Sequence, residues 1–190
     1  MHPFEFILLF FSFIYTVALT HILFAATRMI RHRRQLVYSW PHALWMGGVF
    51  LLMSVNWLSL WDLRTVARFD LEVIASNFIV VISQYFLAAL VSPDFEDGED
   101  YDLQAFHRRE RRTYIGAFLA SGVVGIALNF EGALRYGLTS WGQQNLLMIP
   151  LWAAGLAAFF VDRRWVQIAA PLVVIGMMIA YPIIYYPVVK

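Results

Sequence analysis

Six runs of apolar residues, each long enough or nearly long enough to cross a bilayer as a helix, follow one another along this chain. They are Phe4 to Ala26, Ala43 to Trp61, Leu71 to Val91, Thr113 to Phe130, Leu146 to Val161 and Trp165 to Tyr186. A hydrocarbon core of about 30 Å needs roughly 20 residues at 1.5 Å each, and the fifth run is the shortest of the six. Polar punctuation between the runs is brief, which leaves no room for a soluble domain. The pattern predicts an all-α integral membrane protein, a bundle of six transmembrane helices in a single domain covering residues 1–190.

The charges orient the bundle. The connections beginning at Arg28, Ser92 and Asp162 would share one side, and they carry Arg28, Arg31, Arg33, Arg34, Arg108, Arg109, Arg111, Arg112, Arg163 and Arg164. That is 10 of the chain's 14 basic residues, the other side having Arg64, Arg68, Arg135 and Lys190. Cytoplasmic loops hold the excess of Lys and Arg, so both termini are expected on the outer, non-cytoplasmic side. The expected location is a plasma membrane of the bacterial inner-membrane kind. Glu5 and the absence of an early Lys or Arg argue against a cleaved signal peptide, so the first helix is expected to be retained.

Composition narrows the chemistry. The chain is 61% apolar with a formal net charge of +1, which gives no argument for nucleic-acid binding. It has no cysteine, and hence no disulfide, thiolate metal site or cysteine nucleophile. No HExxH, GxSxG, phosphate loop or metal cluster at ligand spacing is present, so no catalytic residue and no metal ligand is assigned. His21 and His42 sit toward the same leaflet on consecutive helices, which allows a haem between them as the least favoured reading; otherwise no cofactor is expected.

The connection at residues 92–112 differs from the rest, because Asp94, Glu96, Asp97, Glu99, Asp100 and Asp102 precede the run HRRERR. A calcium loop is excluded: with Gly98 at its sixth position, Pro93 and Phe95 would stand where ligands belong. The segment reads first as a solvated loop and basic collar, and second as a docking site for a cytoplasmic partner protein. Anionic lipid headgroups are the expected partners of Arg28–Arg34 and of Arg108–Arg112.

Polar residues within the spans are the candidate functional positions. Glu5 and His21 lie in the first span, Asn56 in the second, and Asn77 and Gln84, seven apart and so on one helical face, in the third. They read either as interhelix hydrogen bonds or as the lining of a polar pathway. In the fourth span Ala117, Ser121 and Gly125 recur every four residues, the spacing at which small side chains let another helix approach. That face is expected against the fifth helix, where Ala154 and Ala158 repeat the idea, or in a homo-oligomer seam. Two functions remain in contention: a transporter or permeation pathway for a small solute, ion or proton, and a non-catalytic subunit, sensor or scaffold using the 92–112 loop. The spread of polar residues over several depths favours the first.

Overall fold

A backbone in hydrocarbon must satisfy its own N–H and C=O groups, and a helix does so within a single segment. The computed structural model follows that rule; it describes residues 3–65, 70–94, 101–136 and 139–185. Six helices make up almost all of it: α1 (Pro3–Arg31), α2 (Trp40–Ser59), α3 (Leu71–Val91), α4 (Leu103–Tyr136), α5 (Thr139–Phe160) and α6 (Arg164–Tyr185). Five helices among the described residues are long and apolar enough to cross a membrane, and the described apolar part of α5, Met148–Phe160, is shorter. The chain is a helical, polytopic membrane protein.

Short polar side chains start the helices where the sequence breaks from apolar to polar. Asp70 accepts from the Val73 N–H at 3.1 Å and caps α3. Asp102 accepts from the Gln104 and Ala105 N–H groups at 2.8 and 2.9 Å and caps α4. Each bond satisfies donors that a first helical turn leaves orphaned. The cap at Asp102 makes α4 begin ten residues before the apolar run at Thr113, so HRRERR is helical. Arg and Glu are good helix formers, and at about 51 Å the 34-residue helix exceeds the hydrocarbon thickness. Its charged opening turns, Leu103 to Arg112, add about 15 Å to the helix ahead of the apolar run.

The helices form a closed ring in the order α1, α3, α4, α5, α6, α2, and α2 also touches α3 and α4 across the middle. Three contacts fix the ends. Leu36–Val37 (β1) pairs in parallel with Tyr101–Asp102 (β2), joining the α1–α2 and α3–α4 connections at the arginine-rich end. At the opposite end Phe4 meets Trp61 edge-on at 6.1 Å, and Asn129 donates to Asn145 Oδ1 at 2.9 Å. Helices consecutive in the chain thus alternate in direction, so the ring neighbours α1 and α3, and likewise α6 and α2, run parallel.

Small residues let α4 and α5 interlock. A Cβ at Gly122 would stand 2.7 Å from the Trp152 indole nitrogen, and one at Gly155 would stand 2.8 Å from Leu119 Cδ2 and 3.0 Å from the Phe118 ring. A glycine on each helix therefore receives an aromatic ring from the other. Phe6, Leu9, Phe13, Leu23 and Phe24 cover the outer face of α1, exposed as lipid-facing residues are. The hydroxyls of Thr16, Thr20 and Thr27 on that helix donate to carbonyls four residues back, so they carry no unpaired donor into hydrocarbon.

Candidate functional site

The ring encloses a cavity of about 160 Å³ that opens on all six helices and on the 3-10 turn at Leu60–Thr65. On α3 its wall runs from Val73 to Gln84, and on α4 from Phe118 to Glu131. At 1.5 Å per residue these stretches are about 16 and 20 Å long, more than half of a bilayer core. The wall begins at the end opposite the arginines and reaches mid-bundle. Leucine, valine and methionine are its commonest apolar residues, with aromatic rings and many polar groups interspersed.

Three of the candidate pathway residues meet here. Asn56, Asn77 and Gln84 all line the cavity, although the two asparagines bond to their own helices. Asn56 Nδ2 donates to the Leu52 carbonyl at 2.9 Å and Asn77 Nδ2 to the Val73 carbonyl at 2.8 Å. Gln84 is buried at the deep end, and its Oε1 has no hydrogen-bond partner. Glu5 and His21 lie elsewhere. Both are exposed on α1, and the His21 ring meets Tyr85 edge-on at 5.5 Å.

Of the small-residue face on α4, Ser121 is buried and Ala117 half-buried, while Gly125 lines the cavity. A Cβ at Gly125 would meet nothing within 4 Å, so the close approach to α5 belongs to Gly122, one turn earlier. The four-residue spacing marks a helix face correctly as small, but cannot say whether a helix or a void lies beyond it.

Aromatic rings underlie the cavity. Phe118, part of its wall, meets Trp45 at 5.4 Å, Trp45 meets Tyr114 at 6.2 Å, and Tyr114 meets His42 at 6.3 Å. Trp45 and Tyr114 are fully buried, so this stack fills the bundle between the cavity and the arginine-rich end. His42 caps the stack, with Nε2 2.9 Å from the Val91 carbonyl. A carbonyl only accepts, so that nitrogen carries the proton and is committed to α3. His42 thereby serves as a helix contact, and His21 lies apart on the lipid face, an arrangement that does not offer two free imidazoles to a haem.

A second polar group lies at the arginine-rich end. His107 Nδ1 hydrogen-bonds the Tyr114 hydroxyl, and Arg111 Nη1 lies 2.9 Å from Asp162 Oδ1 in the α5–α6 turn. Gln167 Nε2 donates to the carbonyls of Ala158 and Val161, both at 2.7 Å, closing the last turn of α5. Burial lowers the His107 pKa to about 4, assisted by nearby His42 and Arg111 and opposed by Asp162 and the neighbouring Gln167 amide. Arg111 departs from the expectation of a basic collar: its side chain is 7% exposed, against 77% for neighbouring Arg109. Helical spacing turns one residue in four of HRRERR inward, as it does His107.

Sequence reasoning also missed Asp62, Ser76, Trp152 and Gln167. Gln167 was visible as an amide near the start of an apolar run; the other three became neighbours only through packing. Among the described residues no group of three or more His, Asp or Glu side chains is placed to hold a metal ion. The loop at 92–112 includes residues 95–100, which lie outside the described residues. Comparison with family models, curated proteins and solved structures finds no match to this chain.

Proposed function

We propose that this protein is a transporter or permeation pathway for a small solute. The cavity carries this reading: a polar-studded space reaching more than halfway through a membrane bundle and ending at an amide oxygen with no partner. A bundle serving only as a scaffold gains nothing from such a void, because an unfilled space forfeits dispersion contacts and a buried unpaired acceptor costs free energy. The aromatic stack from Phe118 to Tyr114 then acts as the closed gate.

In this reading α5 completes a set of six spans, both termini lie outside and the arginine-rich end is cytoplasmic. The cavity consequently opens to the exterior. Exposed Arg31, Arg33, Arg34, Arg108, Arg109 and Arg112 form a collar against anionic headgroups, each worth about 1 kcal/mol near such a surface.

The test is osmotic shrinkage of liposomes containing the pure protein, against urea, glycerol, methylammonium, guanidinium and acetate. At least one solute should enter faster than into protein-free vesicles. Gly125→Phe, which fills the open space, should abolish that entry without lowering the melting temperature. No protein-dependent entry of any of the five would remove the reading and favour the non-catalytic scaffold or sensor that docks a partner through the 92–112 loop.

A further inference from the structure

The cavity ends at mid-bundle, so a pathway through the membrane needs a second half at the arginine-rich end. Four buried polar atoms there have no hydrogen-bond partner: His42 Nδ1 and Trp45 Nε1 on α2, His107 Nε2 on α4 and Gln167 Oε1 on α6. Their side chains gather about Tyr114. Its ring lies 6.3 Å from that of His42 and 6.2 Å from that of Trp45, its hydroxyl bonds His107, and the Gln167 amide neighbours His107. A seal built only to stay closed would be apolar, because a buried polar atom without a partner forfeits the hydrogen bond it makes in water.

The helices around this cluster divide into two bodies. The His42 bond to the Val91 carbonyl, the pairing of β1 with β2, and a bond from Gln104 Nε2 to the Tyr38 carbonyl at 3.2 Å hold α2, α3 and the start of α4 together. The α5–α6 hairpin is the other body. Gln167 donates from α6 to the Ala158 and Val161 carbonyls, which joins the two helix ends into one piece. That piece packs on the aromatic stack, since Gly155 receives Phe118 and a Cβ at Gly116 would lie 3.5 Å from the Phe159 ring. Arg111 and Asp162, at 2.9 Å, form an ionic tie across the seam, and the aspartate is 70% exposed.

Each arm of the hairpin carries a proline inside its helix, Pro150 on α5 and Pro171 on α6. Proline lacks an N–H and so removes one rung of the helical bond ladder, which makes bending easier there. The two stand 12 residues before and 9 residues after Asp162, so they bound a tip with arms of similar length. On α6 the cavity wall, Met178 and Tyr181, lies wholly beyond Pro171. A bend at the prolines thus moves the part of the hairpin that covers the stack.

We infer that the α5–α6 tip is a hinged gate. It swings on Pro150 and Pro171 when Arg111 and Asp162 part, and His42, Trp45, His107 and Gln167 then line the second half of the pathway. Water or solute supplies the partners that these four atoms lack in the closed bundle. The inference rests on the transport reading and deepens it, naming the moving part and the residues that it uncovers.

The experiment is thiol labelling of Gly125→Cys, a reporter on the cavity wall in a chain with no cysteine of its own. An impermeant methanethiosulfonate reagent is applied separately to intact cells and to inverted vesicles; the arginine-rich side is the one from which Arg163→Cys reacts. From that side the reporter should react at least tenfold faster with Asp162→Asn than without it, while its rate from the opposite side does not rise. Adding Pro150→Ala and Pro171→Ala should remove most of that gain. Arg111→Gln parts the same pair without leaving a buried charge; it should match Asp162→Asn, and it decides if that variant does not melt cooperatively. An unchanged rate with the pair broken, a rise from both sides, or a gain that survives replacement of both prolines overturns the inference. Opening to the reagent without flux of any solute into liposomes keeps the gate and removes transport. Flux that Gly125→Phe blocks, with labelling indifferent to the pair and the prolines, does the reverse.

Discussion

His42 and Val91, 49 residues apart, are joined by one hydrogen bond from the imidazole Nε2 to the backbone carbonyl at 2.9 Å. The bond ties the first turn of α2 to the last turn of α3, where a helix end leaves carbonyls without intrahelical partners. Phe106 meets the same imidazole edge-on at 5.1 Å, so α4 is anchored there as well. Three helices thus converge on one ring at the arginine-rich end, while at the opposite end they part around the cavity. In the proposed transport reading, solute would enter from the open end.

Gln167 does for α5 what His42 does for α3. Its Nε2 bonds the Ala158 and Val161 carbonyls, and Ala158 is fully buried. Gln167→Leu keeps the volume and removes both bonds, leaving a buried acceptor unpaired at a cost of about 1 to 3 kcal/mol. The expected result is a lower melting temperature in detergent. An unchanged melting temperature would show that water replaces the amide.

Gly155 and Gly125 should respond in opposite directions to the same substitution. Gly155→Ala drives a Cβ into Leu119 and Phe118 and should destabilise by about 1 to 3 kcal/mol. Gly125→Ala adds its methyl to open space and gains about 0.5 to 1 kcal/mol from better helix propensity. Thermal melts of the two single variants and the parent decide this; destabilisation by both would place a helix, and not a void, against Gly125.

His107 makes stability fall on acidification. Its pKa is lowered from about 6.5 to about 4 in the fold, so the unfolded chain takes up the proton first as pH drops. The contribution of the neutral ring is therefore complete above pH 6.5, is lost between about 6.5 and 4, and changes no further below. His42, Arg111 and Asp162 are the titratable or charged groups acting on it, and Arg111 stays charged throughout the window. Melting temperatures measured from pH 8 to pH 4 should decline less steeply for His107→Gln than for the parent. Parallel curves would assign the acid sensitivity to other groups.

The absence of cysteine makes the parent chain ready for accessibility mapping. Gln35→Cys and Arg163→Cys, both at exposed positions of the arginine-rich end, should react with an impermeant maleimide only after cells are opened. Leu71→Cys, exposed at the first turn of α3, should react in intact cells. The converse pattern would invert the bundle and turn the cavity toward the cytoplasm.

The membrane-helical class was legible in the sequence because it depends on the local sum of apolar transfer energies, which needs no neighbour. The direction in which α4 presents its small residues was legible for the same reason, since helical periodicity is a property of one helix. What lay beyond that face depended on packing: Gly122 receives Trp152, whereas Gly125, three residues on, borders empty space. Asn56, Asn77 and Gln84 were identifiable as polar residues costly to expose to hydrocarbon, but that cost is equally relieved by a neighbouring helix, by the residue's own backbone or by a cavity. Only the closing of six helices into a ring shows that the asparagine donors are used at home and their acceptors are spare. His107 and Arg111 reverse the argument: a run of charges reads as solvated, and only the cap at Asp102, which makes the run helical, turns those two side chains inward. Apolarity is additive along the chain and can be read from it, whereas the pairing of polar groups is decided by which atoms meet in space.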